Sequence, residues 1–251
     1  MLLKTQGLVL KQRNIGENDR ILVLLTKDYG IMEVSARGVK RMKSPLAGGC
    51  QLLSYSEFCI FQGKKYDTVN SAEVIHSFYN IRLDVAKLSL ATYFCDLTNY
   101  LSPQKDSSWV SLRFLLNTLA LLEDDKREME LLKCIFELKM LSFSGFMPNL
   151  VCCADCQAYE TDPMYFLPIE AKLICADCIE KYKNSGLLKY TLTPPVLYAM
   201  RHIIYAEDAK LFQFNLKGDS LKQLEFITEN YVLIQTEQRF KALDVYRQTK
   251  D

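Results

Sequence analysis

Residues 21–36 read ILVLLTKDYGIMEVSA, and this stretch decides the first half of the fold. Two apolar, partly β-branched runs of strand length, at 21–26 and 31–36, stand on either side of Asp28-Tyr29-Gly30. β-Branched and apolar runs favour strands, and a short connection that contains glycine is typical of a hairpin. The stretch therefore predicts two antiparallel strands joined by a tight turn.

Further strand-like runs lie on both sides of this hairpin, at 8–10, 55–61 and 66–74. Turn signals such as Gly63-Lys64 separate them. Five short strands in succession are the number found in a small OB-type barrel. An SH3-like barrel or a plain meander is the alternative that this pattern leaves open.

The period of the apolar residues changes to that of helices after Asp84, which suits an N-cap. Further N-caps are predicted at Ser107, Thr193 and Gly218-Asp219-Ser220, and another helix is predicted to begin at about Met129. A cysteine-rich stretch interrupts these helices. The sequence thus predicts an α+β chain, with an OB-fold barrel at 1–80 and a helical domain at 81–251 that carries an inserted module at about 150–183.

The composition excludes several classes of protein. Of 251 residues, 49% are hydrophobic and 24% charged, which rules out a disordered chain. The 31 basic residues nearly balance the 30 acidic ones, so any affinity for nucleic acid must come from a local patch. No apolar run approaches the ~20 residues that span a bilayer, and the N-terminus lacks a secretion signal. A cytoplasmic protein without membrane contact is expected.

The strongest chemical signal is a pair of C-x2-C motifs, Cys153/Cys156 and Cys175/Cys178, with eighteen residues between them. Two such knuckles supply the four thiolates of a tetrahedral Zn²⁺ site, and a site with four protein ligands is structural. The motifs therefore predict one structural zinc ion per chain. Cys152 leaves open a C-x3-C pairing with Cys156.

Two other readings of the cysteines are weaker. A redox C-x2-C would need a thioredoxin-like βαβ context, and four merely buried cysteines would not explain the paired spacing. The remaining cysteines lack such spacing and are expected in the core. These are Cys50, Cys59, Cys95 and Cys134.

The second signal is a basic loop, because no acidic residue lies between Glu33 and Glu57. A basic, glycine-containing loop that leaves a barrel strand suits contact with a phosphate backbone. The candidate DNA-binding residues are Arg37, Lys40, Arg41 and Lys43, extended by Lys11, Arg13, Lys64 and Lys65. A solvated loop without a ligand is the alternative. The nearby Phe58, Phe61 and Tyr66 could stack bases or belong to the core.

Motifs of several enzyme classes are absent from the sequence: there is no P-loop, no G-x-G-x-x-G after a strand, no G-x-S-x-G and no H-E-x-x-H. His76 and His202 lie in apolar stretches and are expected to be structural. Asp162, Glu170 and Lys172 loosely imitate the residue set of a metal-dependent nuclease. Because they lie inside a loop too short to present a nuclease sheet, no catalytic residue is predicted.

Several of these motifs together resemble the bacterial RecO recombination-mediator family. In the N-terminal half the resemblance rests on Gly7-Leu8-Val9-Leu10, Gly16-Glu17-Asn18-Asp19-Arg20-Ile21 and Ala36-Arg37-Gly38-Val39-Lys40-Arg41. In the C-terminal half it rests on Phe136-Glu137-Leu138, Gly145-Phe146-Met147-Pro148-Asn149-Leu150 and the paired C-x2-C. The similarity covers nearly the whole chain, although the last seventy residues match only in helical pattern.

The resemblance implies a non-enzymatic protein of recombinational repair. Such proteins bind single- and double-stranded DNA, anneal complementary strands, and act with RecR to load RecA onto DNA coated by single-strand-binding protein. By position, the basic loop would contact DNA, RecR would bind the barrel, and the C-terminal tail of single-strand-binding protein would dock on the helical domain. Since some relatives lack the cysteines, zinc here would support the fold. A zinc-containing adaptor that binds only proteins is the alternative.

Overall fold

The computed structural model describes residues 1–64, 66–102, 107–182 and 186–249. Contacts divide the chain into two compact units, the first made of Met1–Lys126 with Phe240–Asp251 and the second of Arg127–Arg239. The predicted boundary near residue 80 marks the change from strands to helices. However, residues 81–126, which follow this boundary, belong to the same compact unit as the strands.

Five strands form the first half of unit 1. They are β1 (Leu2–Ile15), β2 (Asp19–Thr26), β3 (Gly30–Ala36), β4 (Ser54–Phe61) and β5 (Asp67–Ser77). They close into a barrel in the order β1-β2-β3-β5-β4, with β3 and β5 parallel and the other pairs antiparallel. This strand order is that of a five-stranded Greek-key barrel, so the predicted OB-fold is confirmed. Its first strand begins six residues before the predicted run at 8–10.

The barrel core follows from the alternation of side chains along each strand. In β4, Phe58 and Ile60 are fully buried while Phe61 points outward and is 52% exposed. The predicted hairpin is confirmed, because Thr26 pairs with Gly30 across the turn. Gly30 has a φ of +62°, a conformation that glycine adopts without steric cost.

Seven α-helices follow in the described part of the chain. They are α1 (Val85–Leu101), α2 (Trp109–Glu123), α3 (Met129–Phe143), α4 (Ala176–Ile179), α5 (Pro194–Tyr205), α6 (Gly218–Thr236) and α7 (Lys241–Gln248). Asp84 caps α1 as predicted, since its carboxylate accepts a 2.9 Å hydrogen bond from the Lys87 amide. The predicted cap Ser107 is wrong by one residue, because Ser108 precedes α2 while the Ser107 hydroxyl donates to the Lys27 carbonyl.

The two other predicted caps lie at helix starts but do not cap with their side chains. Thr193 precedes α5, yet its hydroxyl donates to the Gln223 side chain at 2.8 Å. Gly218 is already the first residue of α6, after Lys217. The proline pair after Thr193 starts α5 without a side-chain cap, because proline has no amide proton and its φ is already helical.

Helix α7 completes unit 1 and was not predicted from the sequence. It packs against α1. The Phe240 ring, just before α7, meets Tyr93 edge-on at a centroid distance of 5.6 Å and Tyr100 at 6.1 Å. The chain thus returns to its first unit after the whole of unit 2.

Unit 2 combines a small sheet with three long helices. The sheet contains β6 (Asn149–Cys153), β7 (Met164–Leu167), β8 (Lys172–Cys175) and β9 (Tyr190–Leu192), in the order β6-β8-β7-β9. Strands β6 and β8 are parallel, whereas β7 is antiparallel to both of its neighbours. Helix α3 packs against α5 and α6.

A lysine without solvent exposure joins α3 to α6. The Lys133 ammonium lies 3.2 Å from Glu137, 2.7 Å from Glu229 and 3.8 Å from Glu225. Thr228 donates a 2.6 Å hydrogen bond to the second oxygen of Glu137, which is also fully buried. Burial by itself lowers the pKa of Lys133, but the carboxylates outweigh it and raise the pKa above the ordinary value. Lys133 is therefore charged at all physiological pH values.

Within the ranges that the structure describes, no helix combines the length and the apolar character needed to span a bilayer.

Candidate metal centre and nucleic-acid interface

The two cysteine knuckles stand at the ends of the two parallel strands in unit 2. Cys153 ends β6 and Cys175 ends β8, and the pairing of Cys153 with Leu173 sets these strands side by side. Gln157 closes the first knuckle in a left-handed conformation with a φ of +64°, and its amide donates to the Cys153 carbonyl. Cys178 lies in the short helix α4, immediately after β8.

The four predicted cysteines converge on one point. All four sulfur atoms lie within 4.8 Å of one another, and the sulfurs of Cys156 and Cys175 are 3.5 Å apart. A tetrahedral ion with Zn–S bonds of about 2.3 Å holds its sulfurs about 3.8 Å apart, so the cluster has the right size. Three of the cysteines are buried and Cys156 is exposed. The cluster can hold one metal ion with no coordination position left for water.

Hydrogen bonds from the local backbone stabilise the thiolate of Cys153. Burial opposes ionisation of Cys153, but hydrogen bonds, chiefly from the backbone amides of Cys156, Cys175 and Asp155, outweigh it and lower its pKa to about 6. The Cys175 amide donates to the Cys153 sulfur at 3.3 Å. Thiolate is the form that binds a metal ion, so these amides prepare Cys153 to bind one, whereas burial raises the pKa of the Cys178 thiol to about 12.

Cys152, the competing residue, lies outside the cluster. It is half-buried on β6, one residue before Cys153, and successive residues of a strand point to opposite faces. The geometry thus favours the C-x2-C pairing. Among the other cysteines, Cys50, Cys95 and Cys134 are buried, whereas Cys59 is half-buried on β4.

Arg201 of α5 fastens the first knuckle to the helical core, a role that sequence reasoning did not find. Its guanidinium donates to the carbonyls of Leu150 at 2.7 Å, Val151 at 3.0 Å and Tyr159 at 2.5 Å. It also lies over the Tyr159 ring, 4.1 Å from the centroid. These carbonyls stand on both sides of Cys153 and Cys156 in the chain. One side chain therefore fixes both ends of the knuckle.

We expect Arg201→Lys to weaken metal retention without removing a ligand. Lysine keeps the charge, but it cannot reproduce the fixed fork of donors that reaches three carbonyls. Loss of groups that support metal ligands typically costs about 10- to 100-fold in metal affinity, so zinc release to a chelator should accelerate by a factor in that range. Arg239→Lys at an exposed position is the matched control. Equal release rates in the two variants would contradict the role of Arg201.

Four basic residues of the predicted interface lie in the walls of two adjoining hollows on the barrel. A hollow of about 510 Å³ has Arg37 and Lys64 in its wall, and one of about 380 Å³ has Arg37, Arg41 and Lys43. Lys40 is exposed in the same loop. Among the described residues none of these five cations forms a salt bridge. Their charge is therefore available to a ligand.

The other basic candidates are placed differently. Lys11 forms a 2.9 Å salt bridge with Asp96 of α1, and Arg13 lies 3.9 Å from Glu33. These acidic neighbours partly neutralise both residues. Lys65 lies outside the described residues.

The three aromatic candidates differ in their exposure. Phe58 is fully buried in the barrel core, whereas Phe61 and Tyr66 are 52% and 60% exposed and lie in the wall of the larger hollow. Phe61 ends β4 and Tyr66 precedes β5, so the turn between these strands carries both rings. This turn is one of the two loops with which OB-folds bind oligonucleotides.

The two histidines and the residues of the nuclease-like set either have structural partners or lie outside any metal-binding cluster in the described ranges. The His76 ring lies 3.2 Å from the Glu123 carboxylate, and His202 lies 3.0 Å from the Lys210 carbonyl. Lys172 lies over the Tyr182 ring. Apart from the four cysteines, no group of three or more possible metal ligands comes together within the described ranges. Asp162 and Glu170 are therefore not part of a second cluster of this kind.

The fold and the site define an OB-fold protein whose second unit carries a closed four-cysteine module. Two family models match the chain: Recombination protein O N terminal over residues 1–78 and Recombination protein O C terminal over residues 82–244. The chain belongs to the recombination protein O family, and its role lies in DNA repair and recombination.

Relatives named DNA repair protein RecO match over nearly their full length. The protein of Acetivibrio thermocellus is 34% identical over 242 residues, which are 96% of this chain and 95% of the relative. That of Symbiobacterium thermophilum is 30% identical over 255 residues, 99% of each chain. That of Alkaliphilus metalliredigens is 32% identical over 249 residues, 98% of each chain.

Proposed function

We propose that this chain is a DNA-binding and strand-annealing recombination mediator, which helps to load recombinase onto DNA coated by single-strand-binding protein. The observation that carries the proposal is a set of five cations, four in the walls of the two barrel hollows and Lys40 in the basic loop, none of them paired with an acidic side chain in the described part of the chain. A cluster of unpaired cations is what a phosphate backbone needs, because each contact releases a condensed counterion.

The same cations suit annealing. Two complementary strands repel each other, and a surface that neutralises their phosphates lowers that repulsion without breaking a bond. The proposed role therefore requires no catalytic residue. With a near-neutral net charge of +1, the attraction must come from a local patch such as this one, and binding through a few phosphate contacts is sensitive to salt.

The proposed partners follow from the family resemblance. RecR is proposed to bind the barrel, the C-terminal tail of single-strand-binding protein to bind the helical domain, and RecA to be recruited indirectly. With these partners, the proposed place of the activity is the cytoplasm, at the nucleoid.

We propose Zn²⁺ as the ion of the four-cysteine cluster. Its ligand atoms fit in number, type and spacing, and thiolate ligands in tetrahedral arrangement are typical of structural zinc. Cys153, Cys156, Cys175 and Cys178 would hold the ion, which would contribute folding free energy to unit 2 and no chemistry.

The test is annealing of complementary oligonucleotides coated with single-strand-binding protein, at low and moderate salt, with Mg²⁺ present. We expect the chain to accelerate annealing while the strands keep their length. Shortened strands would indicate the nuclease alternative. Absence of both acceleration and DNA binding would overturn the mediator and leave the protein-binding adaptor.

Replacing Arg37, Lys40, Arg41 and Lys43 together with alanine should weaken DNA binding and slow annealing. Each lost phosphate contact lowers the slope of log K against log salt by about 0.7 for single strands, so the quadruple variant should show a flatter slope as well. The matched control removes four exposed lysines elsewhere, Lys210, Lys217, Lys222 and Lys241. An equal loss of affinity in the control would mean that only net charge matters.

A further inference from the structure

The larger hollow on the barrel has more than phosphate-binding groups in its wall. Phe61 and Tyr66 are two half-exposed rings in this wall, which also contains Arg37, Lys64 and Asn70. No acidic residue is among the described residues that form this wall. We call this hollow the aromatic hollow.

The backbones of Gly63 and Tyr66 lie close together. A Cβ atom on Gly63 would lie only 2.3 Å from the Tyr66 carbonyl oxygen, so no larger residue fits at this position. Phe61 and Tyr66 both lie in the wall of this hollow. Strand alternation makes Phe61 face outward, since Phe58 and Ile60 fill the barrel interior.

The volume and the chemistry of the hollow suit an organic ligand with a flat face. Its volume of about 510 Å³ lies within the range of small-molecule sites, which is about 300–1,000 Å³. Aromatic rings stack on any nucleobase because every base has a π-face. The Asn70 side chain is exposed and offers a donor and an acceptor for a base edge.

The cations connect the aromatic hollow to the track for the phosphates. Arg37 and Asn70 belong to both hollows, and the smaller hollow adds Arg41 and Lys43. A strand whose phosphates lie along Arg37, Arg41 and Lys43 can therefore turn a base toward Phe61 and Tyr66. Only an unpaired base can do so, because the bases of a duplex are stacked inside it.

We propose that the aromatic hollow binds an unpaired nucleobase, so that the barrel prefers single-stranded DNA to duplex DNA. This inference rests on the proposed DNA-binding function and specifies its ligand. The basic loop supplies affinity for any phosphate backbone, and the aromatic hollow adds the preference for single-stranded over duplex DNA.

The test compares Phe61→Leu/Tyr66→Leu with the unchanged protein, with fluorescence anisotropy as the readout. The probes are an oligothymidylate, a strand of equal length with abasic sites, and a duplex. Stacking of one base corresponds to roughly five- to 150-fold in affinity, so the variant should bind oligothymidylate at least about fivefold more weakly. Affinity for the abasic strand and the duplex should stay within about twofold, because the cations are unchanged.

Tyr79→Leu is the matched control, since Tyr79 is 58% exposed in the same unit and lies outside the hollow. A second readout uses a strand that contains 2-aminopurine, whose fluorescence is quenched by stacking. The unchanged protein should quench it more than the double variant does.

The outcomes separate this inference from the proposed function. Equal losses on all three probes, or no loss on any of them, would overturn the base site while DNA binding through the basic loop stands. If the unchanged protein binds none of the probes, both the proposed function and the base site are wrong.

Discussion

Replacing Cys153 with serine is expected to remove the metal ion and to destabilise unit 2. The unchanged chain should contain one zinc ion, because its four thiolates converge on one position. Serine is a poor zinc ligand, and the remaining three sulfurs leave the site open. Binding to structural zinc sites contributes on the order of 10 kcal/mol in zinc-finger peptides, so we expect thermal unfolding to occur more than about 10 °C lower. Elemental analysis and calorimetry measure the two effects.

Cys152→Ser is the matched control for this experiment. It makes the same chemical change one residue earlier, at a half-buried position outside the cluster. It should leave the zinc content at one per chain and change the unfolding temperature little. If Cys152→Ser lost the metal ion and Cys153→Ser kept it, the ligand set would have to be reassigned.

Replacing Lys133 with methionine should be the most damaging single change outside the metal site. The substitution preserves an unbranched side chain but leaves the carboxylates of Glu137, Glu229 and Glu225 around a position without a cation. Removing one partner of a buried ion pair costs about 3–5 kcal/mol, because the remaining charge is uncompensated. The transition of a domain of this size should then shift down by roughly 6–20 °C.

The pH dependence of the Lys133→Met variant provides a check on the cause. Buried carboxylates that have lost their cation ionise less readily, so their pKa values rise above those in the unfolded chain. The variant therefore gains stability as pH falls and these groups become protonated, and loses it as pH rises. The difference in unfolding free energy between the unchanged protein and the variant should therefore become smaller as the pH falls from neutral to mildly acidic. A deficit independent of pH would indicate a packing defect instead.

Lys222→Met is the control for the same substitution on a surface. Lys222 is 80% exposed and lies 3.8 Å from Asp219 one turn earlier in α6. Exposed pairs of this kind contribute about 0–1 kcal/mol, so this change should be nearly silent.

The parts of the structure that the sequence predicts are those governed by local patterns. Strand-length apolar runs predict the barrel because β-alternation at Phe58 and Ile60 is a property of neighbouring residues. The cysteine spacing predicts the metal cluster because the geometry of a knuckle is contained in four residues. Both signals can be read without knowing which elements meet in the fold.

The features that were missed depend on pairing between distant segments. Lys133 and Glu229 come together only because α3 packs on α6, and Arg201 reaches Leu150 only because α5 packs beside β6. The neutralisation of Lys11 by Asp96 is likewise a tertiary contact. Helix α7 was overlooked because its eight residues make only about two turns, too few for a clear apolar period.

The return of the chain to unit 1 has a consequence for its biosynthesis. A ribosome makes residues 127–239 before it makes Phe240 and α7, so every residue of unit 2 has been synthesised while unit 1 still lacks its last helix. Synthesis of unit 1 therefore begins before that of unit 2 but ends after it. The Tyr93 ring and the face of α1 that α7 covers stay without their partner until translation has reached the final turns of the chain.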